Sequence, residues 1–158
     1  MIDCDLGCYN RRKLFDNILK KETNFNLTLE TITHSNIGWF IDKTIVEGVF
    51  HLKEWHLPNE DSIYFLWLKE GYCPIHEIFL MKCLYIGKGK LSDRIISHLK
   101  RKDFSEEIIV YFSFVTLQNR QSKYIEQLLL DIYNIPLNKN ENSGNQSLYE
   151  YFTQSEVD

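Results

Sequence analysis

The stretch Tyr85-Ile86-Gly87-Lys88-Gly89-Lys90 puts a phenol, two glycines and two lysines where an apolar run ends and a helix can begin. A glycine- and lysine-rich junction of that kind can hold a phosphate, because glycine lets backbone N–H groups approach and lysine adds charge. It is not a nucleotide loop: no Ser or Thr follows Lys88, no Gly lies five residues before Gly87, and G-x-G-x-x-G is absent. Just beyond it, Arg94, His98 and Arg101 recur at i, i+4 and i+7, on one stripe about 60° wide. The stripe runs beside an apolar arc of Leu91, Ile95, Ile96 and Leu99. Three cation-capable side chains on one ridge repel slightly and gain by facing an anion; facing water, they are an ordinary solvated stripe. Glu126 is a third candidate. Its helical neighbours Leu129, Leu130 and Tyr133 put it at the edge of a buried face, where a carboxylate takes a basic partner, a backbone donor or a metal.

Charge sharpens this. The chain has 158 residues, 18 Lys+Arg against 22 Asp+Glu, and a net charge of −4. Between Lys82 and Lys102, however, seven basic residues face one acidic residue, so that segment carries +6 and the remainder −10. A basic patch on an acidic body still attracts phosphate, since the placement of charge matters more than its sum.

One compact domain suits this length, and 14% aromatic residues with only 7 Gly and 3 Pro exclude disordered and collagen-like classes. No apolar run approaches the ~18 residues of a membrane span; the best, Ile78 to Ile86, is interrupted by Lys82. Met1-Ile2-Asp3-Cys4-Asp5 lacks the basic-then-apolar pattern of a secretory signal. The cysteines at 4, 8, 73 and 83 are not at zinc-ligand spacing. The expectation is an intracellular protein, cytoplasmic or nuclear, with reduced thiols and no membrane contact.

The elements that must position these residues follow from periodicity. Residues 9–22 predict an amphipathic helix on Leu14, Phe15, Ile18 and Leu19. Leu27–Thr33 and Thr44–Phe50 have the β-branched content of short strands, and Pro58-Asn59-Glu60-Asp61 marks a seam. Beyond it, Ile63–Leu68 predicts a strand buried on both faces, Lys69–Glu77 a loop, and Ile78–Ile86 a second strand ended by the glycines. Ser92-Asp93 can cap a helix to about Lys102. Glu107–Thr116 predicts a third strand, and Asn119–Tyr133 a helix with Ile125, Leu128, Leu129 and Ile132 inward. From Asn140 the composition turns polar. The order β-β-α-β-α implies an α+β fold: a small three-stranded antiparallel or mixed sheet flanked by helices, with an N-terminal α/β extension. The expected division is residues 1–58 as that extension, packed on the domain at 59–140, and residues 141–158 as a polar acidic tail.

Taken together, Ser62-Ile63-Tyr64, Leu84-Tyr85-Ile86-Gly87-Lys88, Arg94 with His98, Glu126, and Asn138 after Pro136-Leu137 resemble the motifs of the GIY-YIG nuclease family, in that family's order. The Gly-Lys-Gly-Lys continuation is closest to the subgroup found in ankyrin-and-LEM-domain nucleases. The resemblance spans residues 62–140; Ser62 stands where the family has glycine, and Arg94 follows Tyr85 by nine residues, slightly closer than in much of the family.

The resemblance implies hydrolysis of DNA phosphodiesters with one divalent metal. Glu126 would bind Mg²⁺ or Mn²⁺, as a lone carboxylate suits a hard ion that keeps most of its waters. Tyr85 would activate the attacking water and Tyr64 position water or phosphate, while Lys88 and Arg94 would stabilise a tyrosinate and the growing phosphate charge. His98 would hydrogen-bond the phosphate or a tyrosine. Lys90, Lys100, Arg101 and Lys102 would contact backbone phosphates without reading sequence. Gly87 and Asn138 belong to the structural motif. Branched or flapped DNA and RNA stay open as substrates, and residues 1–58 could receive a protein partner or inhibitor. The rival readings are a catalytically inactive nucleic-acid-binding module of the same scaffold, a toxin nuclease paired with an immunity protein, and an interaction domain whose basic helix docks an acidic protein.

Overall fold

The computed structural model describes residues 13–22, 27–34, 37–41, 58–94, 109–138 and 142–157. In chain order these form α1 (Lys13–Glu22), α2 (Leu29–His34), β1 (Ile37–Ile41), β2 (Asp61–Cys73), β3 (Ile78–Lys90), β4 (Ile109–Thr116), α3 (Asn119–Ile132), β5 (Tyr149–Thr153) and α4 (Gln154–Val157). The fold is α+β, as the element order implies. Its sheet has five strands rather than three, in the order β1-β4-β2-β3-β5, and every pairing is antiparallel.

β2 lies at the centre because its sequence can be buried on both sides. Ile63, Phe65 and Trp67 enter the larger core with Leu19 of α1, Leu29 and Ile32 of α2, and Ile125, Leu129 and Leu130 of α3. Tyr64 and Leu66 point the other way, into a second cluster with Leu91, Val110, Phe112 and Phe114. Each fully buried Ile, Leu or Phe contributes roughly 1.5–3 kcal/mol, so the doubly covered strand anchors the sheet. The indole of Trp67, fully buried, donates to Ser113 Oγ at 2.8 Å and so costs no lost hydrogen bond.

Several expectations are corrected. Leu27–Thr33 is not a strand; α2 occupies Leu29–His34. Thr28 Oγ1 accepts from Thr31 N at 3.1 Å, and Asp16 Oδ1 accepts from Leu29 N at 2.8 Å. Those two acceptors satisfy the first turn, and Leu29, Ile32 and Thr33 form a buried face at helical spacing, which outweighs the β-branched content. Lys69–Glu77 is mostly strand: β2 runs to Cys73, and only Pro74–Glu77 turns. β3 continues through Gly87 and Gly89 to Lys90, because β2 pairs with it from Asp61 onward. Residues 141–158 are not simply a polar tail. β5 closes the sheet against Ile78–Lys82, and its Phe152 is fully buried, edge-on to Trp67 with centroids 5.6 Å apart. In the N-terminal extension, β1 pairs with β4 and α2 packs on the sheet. The strand expected at Thr44–Phe50 lies outside the described residues. No helix among the described residues is long and apolar enough to cross a membrane.

Candidate active site

The site is built on β3 and its neighbour β2, with α3 and the helical turn 91–94 beside them. In the β2–β3 ladder Tyr64 stands opposite Gly87, so its side chain shares a sheet face with positions 87 and 85. The ring of Tyr64 lies over Gly87, where any Cβ would overlap its Cζ and Oη. This glycine is required by close approach, and the same packing brings the Tyr64 and Tyr85 rings to centroids 6.0 Å apart at 35°.

The two phenols share a side-chain hydrogen bond, which favours the anion on Tyr85 over that on Tyr64. Burial raises Tyr64 well above the ordinary phenol range, and the charge of Tyr85, the hydrogen bond between the two phenols and the Glu126 carboxylate add to that, against the opposing pull of Arg94. Burial also raises Tyr85, which is half-buried. There the hydrogen bond with Tyr64 and the charge of Arg94 pull downward while Glu126 pushes up. Of the pair, Tyr85 is the phenol whose anion the bond stabilises.

Glu126 of α3 and Arg94 of the helical turn 91–94 therefore both act electrostatically on both tyrosines. The Arg94 side chain passes over a second glycine of β3. Gly89 has φ +125°, and a Cβ there would come within 3.0 Å of Arg94 Nε. Lys88 points elsewhere, with Nζ donating to Asn119 Oδ1 at 3.4 Å at the start of α3. Lys90 is exposed at the end of β3, opposite Asp61.

Asn138 fixes the strand beneath Tyr85. Its Oδ1 accepts from Ile86 N, and its Nδ2 donates to Ile86 O, both at 2.9 Å. Leu137 N adds a bond to Leu84 O at 2.8 Å. β5 pairs with β3 only over Ile78–Lys82, so the amide of Asn138 replaces a strand partner where the sheet edge would otherwise be open.

Tyr64, Tyr85, Arg94, Glu126, Gly87 and Asn138 thus come together, and Lys88 borders them through Asn119. His98, Lys100, Arg101 and Lys102 lie outside the described residues. Sequence reasoning missed Asn119, Leu137 and the role of Gly89 under Arg94. The alternation of Gly87 and Gly89 on one strand face was the available signal for the last. Among the described residues no three His, Cys, Asp or Glu side chains are grouped to hold a metal. Glu126, partly exposed and an oxygen donor, fits a hard ion that keeps most of its waters and takes one protein ligand.

No protein-family model, no curated protein and no solved structure matches this chain.

Proposed function

We propose that this protein is a metal-dependent endonuclease hydrolysing DNA phosphodiester bonds, of the GIY-YIG type, with Tyr85 as general base and Glu126 as the ligand of one Mg²⁺ or Mn²⁺. The observation that carries the reading is a hydrogen-bonded pair of phenols with ring centroids 6.0 Å apart, within electrostatic reach of one carboxylate and one guanidinium. A structural core does not need that combination. A buried and a half-buried tyrosine pack as well without an arginine or a glutamate beside them.

Tyr85, as the phenolate, takes a proton from a water molecule. The resulting hydroxide attacks phosphorus, and the bridging oxygen leaves with its electron pair and then takes up a proton. Tyr64 keeps its own proton and orients the Tyr85 oxygen through the bond it donates. Arg94 supplies a fixed positive charge for the phosphate as negative charge grows on it. A divalent ion held by Glu126 would offset the carboxylate's upward pull on the phenols and add Lewis-acid stabilisation of the phosphate. Lys90, with Lys100, Arg101 and Lys102, would contribute sequence-independent phosphate contacts.

The test is a cleavage panel of linear, branched, flapped and RNA substrates with Mg²⁺ or Mn²⁺. Glu126→Ala and Tyr85→Phe should abolish metal-dependent cleavage while leaving thermal unfolding close to the parent. Full activity in either variant refutes the assignment.

A further inference from the structure

We propose that the outward face of α3 is a docking strip for an unpaired nucleic-acid strand, with a base stacked on Tyr124 and phosphates held by Arg120 and Lys123. The inference rests on the nuclease reading for the class of ligand, and extends it to a substrate that has a single-stranded segment beside the cleavage site.

α3 buries Ser122, Ile125, Leu129 and Leu130 and turns its other side outward. Arg120 and Lys123 are exposed there, and Tyr124 is 39% exposed, among the few large apolar side chains so placed in the described residues. These three, with Gln118, Gln121 and Gln127, line a groove of about 680 Å³.

The order of residues around the helix gives the strip a direction. At about 100° per residue, Lys123 lies roughly 60° round the axis from Glu126, Gln127 and Arg120 roughly 100–120°, and Tyr124 roughly 160°, all in the same sense. On a helix about 10–12 Å across, that arc is roughly 15 Å long, the reach of a few nucleotides of extended strand.

Its chemistry runs from metal-ligand carboxylate, through two cations with the amide of Gln127 between them, to an aromatic face. Aromatic stacking beside positive charge is how single strands are bound without sequence preference, because every base has a π-face. A duplex offers no free base face at its side, so the aromatic end selects unpaired strand. The one acid at the strip's far end, Asp131, accepts from Gln127 Nε2 at 3.0 Å.

Binding is measured in EDTA, where cleavage is not needed, by fluorescence anisotropy of a labelled duplex with a single-stranded arm and of the same duplex blunt-ended. The parent should prefer the armed duplex. Tyr124→Ala should weaken that complex about tenfold and the blunt complex by less than about twofold, and Tyr124→Phe should restore parent binding because the ring is kept. Arg120→Ala combined with Lys123→Ala should weaken both complexes and lower the salt-dependence slope by about two. An unchanged armed complex in Tyr124→Ala, equal losses on both DNAs, or a poly-glutamate peptide outcompeting the armed duplex would overturn the strip. A Tyr124-dependent arm preference without metal-dependent cleavage would instead keep the strip and reject the nuclease reading.

Discussion

Tyr64 and Gly87 face each other across the β2–β3 ladder, and the tyrosine ring fills the space where a side chain at 87 would stand. The strand pairing and the phenol pair are therefore one construction. Because Tyr64 is about 1% exposed and rigid beyond its Cβ, it has nowhere to retreat. Gly87→Ala should destabilise the fold by about 1–3 kcal/mol by overpacking. It should also break the Tyr64–Tyr85 hydrogen bond, so that cleavage falls by more than the change in denaturation midpoint explains.

Gly89→Ala tests the seat of Arg94 separately. A φ of +125° strains any L side chain, and the added methyl would press on Arg94 Nε. The expected stability cost is about 1–2 kcal/mol. A fall in kcat/KM of at least about tenfold should accompany it, with Arg94→Lys failing to restore activity because its charge sits elsewhere. Parent kcat/KM in Gly89→Ala would show that the glycine serves the backbone alone.

Asn138→Ala would leave both the N–H and the C=O of Ile86 without their side-chain partner. Each such loss in a partly buried setting costs about 1–3 kcal/mol. Asn138→Asp should be nearly as damaging, since a carboxylate can accept from Ile86 N but cannot donate to Ile86 O. Urea denaturation of the two variants side by side decides it; an Asp variant as stable as the parent would remove the claim that the donor half matters.

The pH dependence of stability should centre on His34. Its Nδ1 is 2.6 Å from Glu156 Oε2, and its Nε2 lies 3.8 Å from Oε1 of the fully buried Glu150. Burial among neighbours that include the Phe152 ring opposes the charge on His34, but the two carboxylates outweigh it and raise its pKa above 6.5. A raised histidine stabilises fully below 6.5, and that contribution is lost as pH climbs through the folded value. Burial opposes the charge on Glu156 too; bonds from Thr153 and His34 still bring it below 4.5, so its contribution is present above 4.5 and lost as pH falls through the lowered value. The pair therefore stabilises most between 4.5 and 6.5, and His34→Gln should flatten the fall in melting temperature between about pH 5 and pH 8. An identical pH profile in that variant would assign the slope to other groups.

Cleavage should rise with pH through the neutral and alkaline range. Tyr85 is raised by burial and by Glu126, so only a small fraction is phenolate near neutrality, and that fraction grows tenfold per pH unit below its pKa. Under the proposed mechanism log kcat should climb with a slope near one; a flat profile at saturating metal would exclude Tyr85 as the base.

The candidate residues are spread from Tyr64 to Asn138, and their types and order could be read without coordinates. So could the α+β class, the doubly buried β2 and the inward stripe of α3, because side-chain periodicity is a local property of the chain. α2 reads locally as a strand because its two capping acceptors come from Thr28 and from Asp16, and the second lies 13 residues away. β5 is not legible locally because a five-residue strand in polar surroundings is defined by its partner, here Ile78–Lys82. The glycines of β3 read locally as a break, yet pairing with β2 holds them in the sheet, where a missing side chain becomes room for Tyr64 and a seat for Arg94. Local sequence thus determined which groups are present, while the long-range ladder decided how the two phenols pair and what charge each feels. Those depend on burial and on neighbours up to 62 positions away, as Glu126 is from Tyr64.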